Sequence, residues 1–431
     1  MIRFYNANIL MPDFSIKTGE VHTDGNKISY VGDPKQTDLN FETTVNLNGN
    51  LIMPAFKNAH THSAMTFLRS YADDLPLQQW LFEKIFPMEA KLTPEDVYTL
   101  TKLAYAEYLT SGISACFDMY FYPESVSQAA IDTGFRTIMC GSVSGSDSKA
   151  DIDSALSRLE KFYNTYKNFD KHGLVSYALG FHAEYTTSRP IMEGIAALAE
   201  QYKAPVSVHN SETAAEVAGC IERYGKTPTE IFCEIGIYKY GGAGFHCVHM
   251  TDNDLNLMKD RGCYVVTNPA SNAKLASGIA RLSDMSQMGV NLSIGTDGPS
   301  SNNALDFFRE MYLACVLQKL LKNDAAAMPA EIILKAAFDG GAMGLNNANT
   351  IEAGNLADLT VIDLNQPNMQ PQNAIVKNIV YSGSKQNIIL TMINGKILYK
   401  DGEFMTLDTE KLYKEANGII RRMANDNTNI Q

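Results

Sequence analysis

The 431-residue sequence lacks several features that mark other classes of protein. It has no run of about 18 apolar residues, the length that a membrane-spanning helix requires, and its first residues, MIRFYNANILMPDFS, contain no signal-peptide pattern. Its seven cysteines are scattered and odd in number, without a CxxC pair, so we expect a reduced, cytoplasmic protein without a disulfide framework. Its net charge of −12 gives no basic excess, so we expect neither nucleic acid nor a membrane as a partner.

Histidine is scarce too, with eight residues in the chain, yet five of the eight lie at or near the ends of apolar, strand-like segments. His60 and His62 end the segment LIMPAFKNAHTH and, being two residues apart, point to the same side of an extended backbone. The segments GLVSYALGFH, APVSVH and GAGFH end at His182, His209 and His246, and GVNLSIGTD ends at Asp297. Imidazole nitrogens and carboxylates are ligands of Zn²⁺ and Fe²⁺, so this pattern predicts a catalytic metal site.

The middle of the chain alternates between apolar strand candidates and helical patterns. Eight such strands fall at residues 51–58, 113–118, 135–140, 173–181, 204–208, 243–247, 262–266 and 289–294. Between the first two, TPEDVYTLTKLAYAEYLTSG predicts a helix that Thr93 caps, with Asp96 completing a capping box. This alternation predicts an α/β fold, a (β/α)₈ TIM barrel, in which active-site groups gather at the C-terminal strand ends.

Both ends of the chain instead contain short strands separated by turns. We expect residues 1–53 and 356–431 to form one small β-sandwich domain, and residues 54–355 to form the barrel. The C-terminal part is also expected to hold an amphipathic helix, LYKEANGIIRRMA, and a polar, frayed tail. His22 and His172 have no motif around them, and we expect both on the surface or in loops.

Longer motifs carry a resemblance to a known family. The strongest are NAHTHSAMTFLRSYADDLPLQQWLFEKIFPMEA, HNSET, HCVH, NPASNAKLASGIA and IGTDGPSSNN. On these stretches the chain resembles the amidohydrolase superfamily, and within it the S-adenosylhomocysteine/5′-methylthioadenosine deaminases. The resemblance implies an amidohydrolase-type barrel that hydrolyses C–N bonds other than peptide bonds. The expected reaction converts an adenine nucleoside (5′-methylthioadenosine, S-adenosylhomocysteine or an adenosine-like compound) to its inosine analogue and ammonia.

The resemblance also implies roles for individual residues. The metal ligands would be His60, His62, His209 and Asp297, holding one divalent ion, with Zn²⁺ expected and Fe²⁺ as the alternative. Glu212, in HNSE, would be the general acid/base, and His246 would contact the attacking water, whose proton Asp297 would accept. In the substrate pocket, Glu89 would bind the ribose hydroxyls and His182 would contact the nucleoside. Trp80 would form a wall of the pocket, with core packing as an equal alternative.

Several points stay open at this stage. Glu184 stands where the family usually has proline, and no arginine can be placed to bind the carboxylate of S-adenosylhomocysteine, since Lys149 is the only cation near SVSGSDSKADID. Guanine or 8-oxoguanine deamination and triazine dechlorination use similar ligands and remain alternatives, as does a homo-oligomeric state. A two-metal site of the dihydroorotase type is disfavoured, because the fourth strand ends in His182 and Lys171 lies at its beginning. A non-catalytic barrel is disfavoured because all expected catalytic groups are present.

Overall fold

A computed structural model describes residues 1–35, 39–76 and 79–425. The first strands belong to the N-terminal part of the chain: β1 Ile2–Leu10, β2 Ile16–Asp24, β3 Lys27–Gly32, β4 Thr43–Asn46 and β5 Leu51–Pro54. Among the described helices, none combines the length and the apolar character needed to cross a lipid bilayer.

A barrel of eight parallel strands forms the centre of the molecule. The strands are β6 Phe56–Thr61, β7 Ile113–Met119, β8 Arg136–Cys140, β9 Val175–Ala183, β10 Val206–Asn210, β11 Gly242–His246, β12 Tyr264–Thr267 and β13 Asn291–Ile294. Each strand pairs with the next along the chain. The backbone N–H of Asp297 donates to the carbonyl of His60 at 3.0 Å, which joins the last strand to the first. The predicted (β/α)₈ barrel is confirmed.

Helices follow most of the barrel strands and pack around them. The α-helices are Phe86–Glu89, Pro94–Thr110, Pro123–Thr133, Lys149–Tyr166, Arg189–Tyr202, Ala214–Tyr224, Pro228–Ile235, Asp252–Asp260, Pro269–Lys274, Leu282–Met288, Phe307–Lys322, Ala330–Phe338, Ile375–Tyr381 and Thr409–Asn425, and Trp80–Ile85 forms a π-helical segment. The predicted capping box forms at Pro94–Thr110, where Thr93 and Asp96 exchange side-chain and backbone hydrogen bonds. The predicted C-terminal helix packs against it, with Arg422 bonded to Asp96.

The strands from both chain ends form a second, mixed sheet. To β1–β5 the C-terminal part adds β14 Leu359–Ile362, β15 Ile388–Ile393, β16 Lys396–Lys400 and β17 Glu403–Phe404. β14 pairs with β5, so the two ends of the chain meet in the middle of the sheet. A small domain built from both ends is confirmed, with its strands joined in one continuous nine-stranded sheet. The boundaries at 53/54 and 355/356 stay predictions, and the predicted tail at 426–431 lies outside the described residues.

Two expectations about local structure were wrong. The apolar run 51–58 is two strands in different sheets, β5 and β6, separated by Ala55, whose N–H donates to the Asp358 carbonyl. The run looks continuous because both strands are buried and the chain passes from one sheet to the other without a turn. His22 is likewise not on the surface: it is buried within β2, where its ring contacts Phe41 and its Nε2 lies 2.9 Å from Glu20.

Candidate active site and metal centre

The four predicted metal ligands meet at the C-terminal end of the barrel. His62 Nε2 lies 3.3 Å from Asp297 Oδ1, and His60 Nε2 lies 3.6 Å from the same oxygen. The His60 and His209 rings are 4.8 Å apart. These side chains are buried, and the donor atoms of His60, His62 and Asp297 all fall within 4.8 Å of one another. His246 also comes within this range of His60 and His209, so geometry alone offers a fifth donor.

Hydrogen bonds to the backbone fix the orientation of two of these rings. His62 Nδ1 donates to the Met119 carbonyl, and His209 Nδ1 donates to the His182 carbonyl, both at 2.7 Å. Each bond directs the other ring nitrogen, Nε2, toward the centre, as is usual for metal-binding histidines. Neither ring nitrogen of the buried His60 has a hydrogen-bond partner in the protein. An unpartnered buried nitrogen is costly, and a divalent ion at this point would provide a partner for Nε2, the nitrogen that faces Asp297.

The protonation states also suit a cation. Burial lowers the pKa of His60 to about 3, and burial also holds the pKa of His209 well below its usual value, so both rings are neutral donors. Burial alone would raise the pKa of Asp297, but His60 and His62 outweigh it and keep the carboxylate ionised. Burial opposes a charge on His62, yet Asp297 raises the pKa of that ring to about 9. An ion bound by both side chains would displace this proton.

Two serines that the sequence analysis missed hold the far side of Asp297. Ser271 and Ser301 donate to Asp297 Oδ2 at 2.5 and 2.8 Å, which leaves Oδ1 facing His60 and His62. Both serines are buried. They fall in NPASN and GTDGPSS, two of the motifs that carry the family resemblance, but their spacing gives no sign that they meet at one carboxylate.

We expect the double substitution Ser271→Ala, Ser301→Ala to weaken metal binding and activity by about 10- to 100-fold, because residues behind a ligand fix its orientation. Metal affinity can be measured by competition with a chromogenic chelator. Ser300→Ala is the matched control, since Ser300 lies in the same turn but donates to Met65. An unchanged affinity in the double variant would show that Asp297 needs no such support.

Glu212 lies beside the metal centre without belonging to the cluster of metal-binding donor atoms. Its Oε2 is 3.9 Å from His246 Nε2, and His246 Nδ1 is fixed by the Asn272 side chain at 2.7 Å. Burial raises the pKa of Glu212, which favours the protonated carboxyl that a general acid needs. Glu216 holds this loop by accepting the backbone N–H groups of Ser211 and Glu212 at 3.0 and 2.7 Å.

A cavity of about 390 Å³ opens over this cluster. Its walls include eight of the nine predicted site residues: His62, Trp80, Glu89, His182, His209, Glu212, His246 and Asp297. The ninth, His60, is fully buried beneath them. The structure therefore brings all the predicted residues together, while the role of each stays a prediction. Trp80 fits both alternatives predicted for it, since it lines the cavity and also packs in the main hydrophobic core.

Glu89 and His182 are held by neighbours that the sequence analysis did not single out. The Tyr120 hydroxyl donates to Glu89 Oε1 at 2.7 Å, and burial raises the pKa of Glu89 to about 7. His182 Nδ1 lies 2.8 Å from the Thr186 hydroxyl. Glu184, the departure from the family pattern, is buried and accepts two hydrogen bonds from Arg223, at 3.1 and 2.5 Å. Its carboxylate is therefore paired with Arg223 and is not part of the cavity wall.

An eight-stranded barrel with histidines and an aspartate gathered at its strand ends is the arrangement of a metal-dependent enzyme. The chain belongs to the amidohydrolase family, whose model matches residues 51–398. The predicted class, a hydrolase of C–N bonds other than peptide bonds that uses a divalent metal and a small-molecule substrate, is thereby confirmed.

Three proteins with similar sequences match the chain over most of its length. A 5-methylthioadenosine/S-adenosylhomocysteine deaminase of Caldanaerobacter subterraneus subsp. tengcongensis is 36% identical, covering 96% of this chain and 98% of its own. A deaminase of the same name from Clostridium tetani is 40% identical, covering 85% of each. The crystal structure of an adenosine deaminase from Xanthomonas campestris with bound zinc has a TM-score of 0.92 and 31% identity, covering 98% of both chains.

Proposed function

We propose that this protein deaminates adenine nucleosides hydrolytically, with one zinc ion held by His60, His62, His209 and Asp297. The observation that carries the proposal is the meeting, in one cavity, of this ligand set with a protonatable Glu212 and with Glu89. The names of the relatives and the zinc in the adenosine deaminase structure support it. Fe²⁺ is the alternative ion, because imidazole and carboxylate ligands suit both metals.

The reaction assigns a task to each side chain. The bound ion would supply Lewis-acid activation of the attacking water. Glu212 would donate a proton to N1 of the adenine ring, which makes C6 more electrophilic, while Asp297 takes the proton of the water. His246 would hydrogen-bond the oxygen as it adds to C6. The C6–N6 bond then breaks, and the amino group leaves as ammonia with the proton that Asp297 returns. The oxygen on C6 becomes a carbonyl as its remaining proton returns to Glu212.

A substrate panel tests this proposal. The metal-loaded protein would be incubated with 5′-methylthioadenosine, S-adenosylhomocysteine, adenosine, 5′-deoxyadenosine, guanine and 8-oxoguanine, and released ammonia would be measured. We expect release from the adenine nucleosides and none from the free bases. Activity on guanine or 8-oxoguanine alone would favour the base-deaminase alternative and refute nucleoside deamination.

We expect Glu89→Gln to raise KM for ribonucleosides by about 10- to 100-fold, because a hydrogen bond to a carboxylate is stronger than one to an amide. The KM for 2′,3′-dideoxyadenosine, which lacks both hydroxyls, is the control and should not change. In the unsubstituted protein the KM for ribonucleosides should rise as pH falls below about 7, where Glu89 becomes protonated. If Glu89→Gln kept the original KM and pH profile, Glu89 would have no role in ribose binding.

Although Glu89→Gln should weaken substrate binding, it should increase the stability of the folded protein at alkaline pH. Because the pKa of Glu89 is raised from 4.5 to about 7 on folding, burying its carboxylate costs stability above pH 7. We expect Glu89→Gln to recover up to ~3 kcal/mol at pH 8, with the gain fading as pH falls toward 4.5. Thermal melts of both proteins across this pH range measure the effect. A lower Tm for the variant at pH 8 would contradict it.

We also propose a cytoplasmic location. All seven cysteines are unpaired in the structure, as suits a reducing compartment. The absence of nucleic-acid and membrane partners and a homo-oligomeric state stay predictions from the sequence.

A further inference from the structure

The charges around the cavity are all of one sign apart from the histidines. Among the described residues that line it, the charged side chains are the carboxylates of Glu89, Glu212 and Asp297, with no lysine or arginine. Much of the remaining wall is apolar or aromatic, formed by Met65, Trp80, Leu81, Phe82, Phe86 and Leu275. Away from the metal ligands, a substrate carboxylate would therefore find apolar surface and acidic side chains, and no lysine or arginine among the described lining residues to pair with.

Of the cations near the cavity, Arg223 and Lys274 have carboxylate partners, and Lys84 is exposed on the segment of Phe82 without lining the cavity. Arg223, on the helix after β10, is bonded to Glu184 through two hydrogen bonds. Lys274, next to the lining residue Leu275, is bonded to Asp73 and Asn303. Lys149 is exposed at the start of the helix Lys149–Tyr166 and does not line the cavity.

The wall next to Glu89 is aromatic. Phe86 lies three residues before Glu89 in the same helix, and its ring packs edge-to-face against Phe82 at 5.3 Å between centroids. Phe82 is 52% exposed at the cavity edge, although it is a large apolar residue. If Glu89 holds the ribose, its 5′ substituent comes close to this pair. A thioether sulfur beside aromatic rings is a favourable contact.

We infer that Phe82 and Phe86 receive an apolar 5′-alkylthio group and that the cavity discriminates against S-adenosylhomocysteine, whose tail carries a carboxylate and an ammonium group. This inference rests on the proposed deaminase function and narrows its substrate class to nucleosides with an uncharged 5′ substituent, such as 5′-methylthioadenosine. A methylthio group gains by leaving water for the aromatic wall. The carboxylate and the ammonium group of S-adenosylhomocysteine would both lose hydration against this wall, and no lysine or arginine in the described part of it can pair with the carboxylate, which is costly.

Three substrates distinguish the effect of charge on the 5′ substituent from the effect of its length. The 5′ substituent of 5′-methylthioadenosine is short and uncharged, that of 5′-butylthioadenosine is long and uncharged, and that of S-adenosylhomocysteine is long and zwitterionic. We expect the two neutral compounds to have kcat/KM values within about tenfold of each other, and S-adenosylhomocysteine to be at least ~100-fold poorer than 5′-methylthioadenosine, as for an unpaired buried charge. Calorimetric binding of the products 5′-methylthioinosine and S-inosylhomocysteine should show the same order without turnover.

Two variants test the residues named. Phe82→Ala should lower kcat/KM for 5′-methylthioadenosine more than for adenosine, by about tenfold in the ratio. Ser144 lines the cavity in the loop after β8 and is exposed, so Ser144→Arg would place a cation there. It should raise the ratio of S-adenosylhomocysteine to 5′-methylthioadenosine activity by about tenfold, as expected for a new charge-assisted hydrogen bond. The uncharged control Ser144→Gln should not.

The outcomes are distinguishable. S-Adenosylhomocysteine activity within about threefold of 5′-methylthioadenosine activity, a difference of less than 1 kcal/mol, would overturn the inference and leave the deaminase proposal intact. Equally poor activity on 5′-butylthioadenosine and S-adenosylhomocysteine would overturn it too, since length would then be the cause. Failure to deaminate any adenine nucleoside would refute the proposed function and the inference with it.

Discussion

His60→Ala is expected to abolish metal binding and deamination together. His60 is fully buried, its Nε2 lies 3.6 Å from Asp297 Oδ1, and neither of its ring nitrogens has a hydrogen-bond partner among the described residues. The loss of activity should exceed the ~100-fold that removal of a residue behind a ligand can cost. Metal content after desalting and ammonia release, measured on the same preparation, check the prediction.

The matched control for this variant is His172→Ala, because His172 is exposed and lies outside the cavity. It should keep both metal and activity. Asp297→Asn provides a second route to the same result without opening a cavity in the core. Full activity of either ligand variant in the presence of a strong chelator would rule out the proposed metal mechanism.

Glu212→Gln is expected to give the second large effect, a fall in kcat of about 10²- to 10⁴-fold, the usual contribution of a general acid/base. Glutamine has nearly the same shape but cannot donate a carboxyl proton to the purine ring. Metal content should stay at the level of the unsubstituted protein, because Glu212 is not among the grouped donor atoms. This retention distinguishes the variant from His60→Ala.

Glu222→Gln, on the exposed surface of the next helix, is the control for Glu212→Gln and should leave kcat unchanged. Steady-state kinetics with 5′-methylthioadenosine and metal analysis complete the comparison. A Glu212→Gln enzyme with near-normal kcat would assign proton transfer to another group, and the nearby His246 would be the first to test.

The sequence predicts the barrel, and the meeting of the side chains at its strand ends, for a physical reason. Parallel strands buried on both faces are apolar throughout, so a polar residue at the end of such a strand stands out in the sequence. The C-terminal ends of all the strands also lie at one face of the barrel. His60, His209 and Asp297 were recognised in this way, and the structure places them together. The same property caused the error at 51–58, because nothing polar separates β5 from β6.

The supporting residues could not be predicted because their partners are distant in sequence. Ser271 meets Asp297 across 26 residues, and Tyr120 meets Glu89 across 31. Neither pair belongs to a helical or strand repeat, so no periodicity connects its members. His22 shows the same limit: a histidine without a motif reads as a surface residue, yet Glu20 in the same strand and Phe41 account for its burial.

The join between the first and last barrel strands has a mechanical consequence. The backbone bond between Asp297 and His60 lies at the same place where both side chains would bind the ion. An ion held by both residues would therefore bridge the seam of the barrel, and it would stabilise the folded state because the site exists only in the folded chain. β6 is preceded through Ala55 by β5, so opening of this seam would also loosen the nine-stranded sheet built from both ends of the chain. Removal of the metal should thus speed amide exchange in both sheets, and not only in the cavity.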